Sequence, residues 1–397
     1  MLLGTTAGTT RRPAVRLLIA GQAASTVGDA CYAVALPWFV LAHHGGPGAL
    51  GTVLGSYGIA RAVAMPIGGA LCDRLGARRV LLAVDVGRAI LVGLLAVDAV
   101  LNGASLVVLS LFSALIGAGQ GTFVPGSFAL MPAIAADDRL QRANAALAGA
   151  LQAGSLIGPM IGAALMSASG PAAALAVDAV TFAVSAATLA RMPDGATAER
   201  LTADRSLRPR AVLTAIPALP TLLIVVLAGN LASAGLFGVA LPVLAHQHFG
   251  SSGYGLVLAA LAGGAVLGTI VGATVHPQRP AVTAGVLLLA QNAALALVPV
   301  GGLAGAAVAG VAFGALNGVG ELVIVTALQR WFPPALRGRL MGLVMLASAG
   351  AYPVSVALIS GLIDGVGVRA AFGLGALGTA LAVTFALSRP VFRRFGT

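Results

Sequence analysis

The stretch Gly69-Ala70-Leu71-Cys72-Asp73-Arg74-Leu75-Gly76-Ala77-Arg78-Arg79 is a short charged turn held between two apolar runs, each long enough to cross a bilayer. Its physics can be read residue by residue. Gly69 lets two helices approach closely, Asp73 and Arg74 can pair with helix ends, and Gly76 permits a tight reversal. Arg78 and Arg79 hold the turn on the cytoplasmic side of a membrane.

The rest of the chain has the same character. Of 397 residues, 58% are hydrophobic and 9% charged, where a soluble domain carries about 25% charge. Mean hydropathy is +0.98. The length fits roughly twelve spans of about 20 residues with short loops. Apolar runs separated by Gly, Pro and charge place them near 14–42, 49–71, 79–101, 105–132, 143–167, 171–192, 216–245, 253–275, 281–300, 303–329, 339–363 and 368–389. The first run is longer than a signal-peptide core, so the first span is expected to serve as its own uncleaved signal. Cys31 and Cys72 sit at different depths and are expected to be free thiols.

The formal net charge of +11 would suggest nucleic acid in a soluble protein, so its placement decides. All 23 basic residues are arginine. Without lysine there is no P-loop, which excludes an ATPase engine of that type. With the N-terminus inside, every arginine except Arg61, Arg88 and Arg369 falls on the cytoplasmic side, while the outer turns around His43-His44 and His246-Gln247-His248 carry essentially none. The charge is therefore a topology signal, and no nucleic-acid partner is expected. The one sizeable polar stretch lies near the midpoint. It divides the chain into a six-helix bundle over 1–192, a cytoplasmic linker over 193–214 and a second six-helix bundle over 215–397. A weak repeat supports this, because Ala35-Leu36-Pro37 with His43 recurs as Ala240-Leu241-Pro242 with His246. The fold class is all-α, a polytopic membrane protein of twelve helices in two pseudo-symmetric bundles.

The pattern Gly-x-Leu-x-Asp-Arg-x-Gly-x-Arg-Arg over residues 69–79 resembles the loop signature of the major facilitator superfamily. Gly154-Ser155-Leu156-Ile157-Gly158-Pro159-Met160-Ile161-Gly162 is similar to a motif of that family's exporters and antiporters. Its physical content is close helix packing through glycine plus a proline bend, and ordinary small-residue packing is the competing reading. Gly21-Gln22-x-x-Ser25-x-x-Gly28-Asp29, Asp85-x-x-Arg88-Ala89, Arg142-Ala143-Asn144 and Arg337-Gly338-Arg339 together resemble the branch containing the enterobactin exporter and macrolide efflux proteins. One departure stands out. Related exporters often carry an intramembrane arginine in span 4, and here Ser113 precedes Gly117-Ala118-Gly119.

The resemblance implies a cavity lined by spans 1, 4, 7 and 10, and each holds a polar residue: Asp29, Gln120, Asn230 and Glu321, with Asn317 one turn before Glu321. Gln22, Ser25, Thr26 and Asp29 share one helix face. A mid-bilayer charge costs roughly 2.5–3.5 kcal/mol and needs a partner or a water-filled cavity. Asp29 and Glu321 are thus candidate proton or substrate-charge sites, with Arg61 the expected partner of Asp29. The alternative is a structural ion pair that stays ionised. Asp85 and Arg88 read as structural, joined to the Arg78-Arg79 loop, and Asp178 is ambiguous. The loop residues Gly69, Asp73, Arg74, Gly76, Arg78 and Arg79, together with Gly154, Gly158, Pro159 and Gly162, are candidates for conformational gating. The outer histidines lack sulfur or carboxylate ligands beside them, so no metal and no cofactor are expected.

The resemblance implies a secondary transporter working by alternating access, exporting a small amphipathic drug or metabolite by proton antiport. A siderophore or lysolipid exporter is the alternative on the same fold, and a non-transporting receptor or assembly partner the alternative of another class. No enzyme activity is expected, since no nucleophile, metal set or acid/base pair clusters at an interface. The expected setting is a bacterial cytoplasmic membrane with both termini inside, the expected state a monomer, and the expected partners a small-molecule substrate, protons and the lipid bilayer.

Overall fold

The computed structural model describes residues 7–101, 105–135, 140–192, 219–331 and 334–393. Among these, every regular element is helical. The first six helices are α1 (Ala7–His44), α2 (Gly46–Leu75), α3 (Ala77–Leu101), α4 (Leu106–Ile134), α5 (Leu140–Ser169) and α6 (Pro171–Ala190). Then come α7 (Leu219–Gly235), a π turn (Leu236–Ala240), α8 (Leu241–His248), α9 (Gly250–Gly272), α10 (Pro280–Leu297), α11 (Gly302–Trp331), α12 (Pro334–Val366), α13 (Val368–Ser388) and α14 (Pro390–Arg393). Among the described residues, twelve segments are long and apolar enough to cross a membrane, the seventh running through α7, the π turn and α8. The linker expected at 193–214 and the side chains of Arg337 and Arg339 lie outside the described residues. Packing divides the chain into two compact units, one of Met1–Gly45 and Thr52–Thr202, the other of Gly46–Gly51 and Ala203–Thr397.

Between lipid-solvated helices there is no hydrophobic driving force, so close contact through small residues has to hold a bundle together. In the first unit, α1 lies against both α5 and α6 in this way. Gly154, Gly158 and Gly162 bring α5 onto Thr26, Ala30 and Cys31 of α1, while Gly21 and Gly28 bring α1 onto Thr188 and Thr181 of α6. The exporter-like motif is thus the α1–α5 seam, with Pro159 buried in it. On α4, Gly117 and Gly121 meet the α2 backbone at Tyr57 and Arg61. Large apolar residues on the remaining faces stay exposed, including Ile59, Val63 and Ile67 at four-residue spacing on α2, as a lipid-facing stripe requires.

The reversal of the charged turn is built as Gly76 suggests. Gly76 adopts φ 88°, a left-handed conformation that glycine enters without penalty, and its N–H closes on the Cys72 carbonyl at 3.0 Å. The close helix approach expected at Gly69 falls instead at Gly68, which meets the Thr122 backbone of α4, while a β-carbon at Gly69 would lie 4.0 Å from Pro125. Asp73, Arg74 and Arg79 are exposed, and the helix-end contact of the turn is made by Arg78. Arg78 reaches across to α6, donating from Nε to Leu189 O and from Nη2 to Ala190 O, both at 2.8 Å. It therefore caps the carbonyl end of that helix, where a cation is also favoured by the helix dipole. Beneath the turn, Leu18, Cys72, Leu81, Phe123, Leu130 and Leu189 form a buried apolar cluster drawn from five helices.

In the second unit, α9 and α11 share a two-way glycine seam. Gly264 and Gly268 meet the α11 backbone at Val311 and Ala315, and Gly314 and Gly318 meet the α9 backbone at Leu261 and Ala265. The seventh span departs from the single helix expected. The Ser355 hydroxyl of α12 donates to Leu231 O and accepts from Gly235 N–H, each at 2.6 Å. It stands between two groups that an uninterrupted α-helix bonds to each other, and the π turn follows directly.

Candidate substrate and proton site

Asp29 projects from the α1 face formed with Gln22, Ser25 and Thr26. Gln22 and Ser25 are buried. The Ser25 and Thr26 hydroxyls turn back to Gln22 O, at 3.2 and 2.8 Å, which leaves Asp29 as the face's charged member. Its partner is Arg88 of α3, whose Nη2 donates to Asp29 Oδ1 at 2.7 Å. The expected pairing with Arg61 is therefore corrected. Arg61 lies at longer range, within electrostatic reach of Asp29, and its Nε is buried without a hydrogen-bond partner. The reading of Arg88 as joined to the Arg78-Arg79 loop is corrected too, because Arg88 turns to Asp29 and Arg78 to α6.

Arg88 is placed by its surroundings. Its side chain is 3% exposed, against 39% for Asp29. The guanidinium carbon lies 3.8 Å from the Phe182 ring centroid, and Nη1 is 4.0 Å from Asp85 Oδ1. A planar, weakly hydrated cation suits this combination of ring face and carboxylates better than a compact ammonium would. Room for it comes from α4, where an added β-carbon at Gly119 would lie 3.0 Å from Arg88 Cγ and Cδ. Span 4 lacks the intramembrane arginine of related exporters, and a guanidinium enters from span 3 past its glycine.

Asp178 of α6 joins the same cluster. It is 1% exposed, it lies against Gly28 beside Asp29, and its Oδ1 has no hydrogen-bond partner. Sequence reasoning left it ambiguous. The signal available in the sequence was a single carboxylate within an apolar span. Tyr57 is within electrostatic reach of Arg61, Asp29, Arg88 and Asp178. Gln120 of α4 also presents a buried Oε1 without a partner.

The remaining candidates belong to the second unit. Asn230 Nδ2 donates to Val226 O at 2.8 Å and to Ser348 Oγ at 3.3 Å, which ties α7 to α12. Asn317 is half-buried on α11 and Glu321, one turn on, is exposed. A cavity of about 590 Å³ in this unit is lined by His248, Phe249, Leu303 and Arg369, away from all of these candidates.

Comparison with known proteins gives the arrangement its context. The chain is 29% identical over 391 residues to the multidrug efflux pump Tap of Mycolicibacterium fortuitum, covering 92% of each chain. It is 28% identical over 319 residues to the enterobactin exporter EntS of Citrobacter koseri, covering 77% of this chain and 74% of that one. Its fold matches the crystal structure of the nucleoside transporter NupG with a TM-score of 0.74 at 12% identity, over 94% of this chain and 98% of that one. The family profile of the Major Facilitator Superfamily matches residues 18–320. With twelve membrane-length helices and this match over most of its length, the chain belongs to the Major Facilitator Superfamily.

Proposed function

We propose that this transporter exports a small amphipathic molecule, cationic or zwitterionic, in exchange for protons, by alternating access across a bacterial cytoplasmic membrane with both termini inside. The observation that carries the reading is the Asp29–Arg88 pair: a partly accessible carboxylate held by a buried guanidinium within membrane-spanning helices. An intramembrane charge is costly unless it is paired or hydrated, and a carboxylate open on one side can exchange its guanidinium partner for a proton or a substrate cation. The efflux-pump and exporter relatives support the direction of transport. Glu321, exposed on α11 with Asn317 one turn before it, is a second position for substrate charge.

The test is proton release in inside-out vesicles under an imposed pH gradient, screening cationic antibiotics and siderophores against an Asp29→Asn control. Substrate-dependent proton flux that disappears in Asp29→Asn supports the reading. Flux unchanged in the variant moves coupling to Glu321.

A further inference from the structure

Three carboxylates and two guanidiniums meet in the first unit: Asp29, Asp85 and Asp178 against Arg88 and Arg61. Fully ionised, the set carries one surplus negative charge inside a bilayer, where an uncompensated charge costs several kcal/mol. One bound proton makes it neutral, and the geometry discriminates among the three acids. Arg88 bonds Asp29 at 2.7 Å and lies 4.0 Å from Asp85, one turn away on its own helix. Asp178 is the acid without a cation at that distance. Asp85 and Asp178 are both buried with unpartnered carboxylate oxygens, so the position of Arg88 is what separates them, and the carboxylate neighbouring Asp178 is Asp29. Of the helices packed on α6, α1 presents Asp29 and Cys31, and α3 presents Asp85 and Arg88. The described charge on α5 is Arg142, near its start. From α2, Arg61 and Tyr57 act at longer range.

We infer that Asp178 is the proton-carrying acid of this cluster, and that Arg88 is a counter-ion shared between Asp29 and Asp178. While Arg88 holds Asp29 ionised, Asp178 keeps its proton. When Asp29 is neutralised by a substrate cation, Arg88 is released toward Asp178. The Asp178 O–H bond then breaks, its proton leaves to water on the accessible Asp29 side, and the resulting carboxylate pairs with the guanidinium. One cation bound for one proton released keeps the site neutral throughout, as exchange in a low-dielectric interior requires. This inference deepens the proposed antiport and rests on it for its transport meaning, but its test does not need transport.

The test is infrared difference spectroscopy of the purified full-length protein in bilayers, without substrate, reading the C=O stretch of a neutral carboxylic acid at neutral pH. A band lost in Asp178→Asn, shifted in Asp178→Glu and unshifted in Asp85→Glu supports the inference. Loss of the same band in Asp29→Asn, where Arg88 is free to ionise Asp178, supports the shared counter-ion. A band that survives in Asp178→Asn, or that shifts in Asp85→Glu and not in Asp178→Glu, overturns the assignment. A band present here with no proton flux in vesicles leaves the proton on Asp178 and removes the antiport reading.

Discussion

The stem of Arg88 passes over Gly119: a β-carbon placed at Gly119 would lie 3.0 Å from both Cγ and Cδ of the arginine. Such a contact is tight but falls on a flexible side chain. Gly119→Ala is therefore expected to fold with at most a small loss of thermal stability, and Gly119→Leu to displace the guanidinium from Asp29 and abolish transport. Transport assays alongside melting curves in detergent check both. Full activity in Gly119→Leu would show that Arg88 need not be where it is found.

Removing Arg88 leaves buried carboxylates without their counter-charge. Arg88→Gln is expected to cost about 3–5 kcal/mol, the range for breaking one side of a buried pair. The double variant Arg88→Gln with Asp29→Asn is expected to recover much of that stability and none of the transport. Expression level and melting temperature read the first effect, and vesicle flux reads the second.

Arg78 makes two charge-assisted hydrogen bonds to the end of α6. Arg78→Ala is expected to lose about 1.5–3 kcal/mol. Arg78→Lys should restore only part of it, because an ammonium cannot reproduce the two-pronged geometry. Thermal melting separates the two variants, and equal stabilities would argue against the cap.

The α1–α5 seam grades its glycines. An added β-carbon at Gly158 would lie 2.5 Å from Ala30 Cβ, while at Gly154 its nearest neighbours are 3.1 Å away, on Thr26. Gly158→Ala is expected to destabilise by about 1–3 kcal/mol, the usual cost of overpacking, and Gly154→Ala by less. The order of melting temperatures decides it.

Ser355→Ala removes the hydroxyl that occupies the opened backbone at Leu231 and Gly235. Loss of about 1–3 kcal/mol is expected if both backbone groups stay unsatisfied. A smaller loss, accompanied by faster hydrogen exchange in the untreated protein at Gly235 than in the variant, would mean that the backbone bond re-forms and the π turn relaxes.

The spans were legible because a bilayer asks the same thing of every helix, about 20 apolar residues in a row, and the chain supplies it twelve times. The turn at Gly76 was legible for a related reason, since a tight reversal between two spans has few local solutions. The partner of Asp29 was not legible. Sequence fixes how deep Arg61 and Arg88 sit, while the rotation of α2 and α3 about their own axes decides which one points at α1. For α2 that rotation is set where Gly117 and Gly121 of α4 meet its backbone at Tyr57 and Arg61. The Arg78 cap and the Ser355 insertion were hidden similarly, because each joins residues more than one hundred positions apart.

The α9–α11 seam has a mechanical consequence. Where helices touch through interleaved side chains, rotamers can exchange and the contact can creep. Where they touch backbone to backbone through Gly264, Gly268, Gly314 and Gly318, there are no rotamers to exchange. These two helices are therefore expected to travel as one piece, with bending in the second unit expected in α7, where the backbone ladder is already open around Ser355.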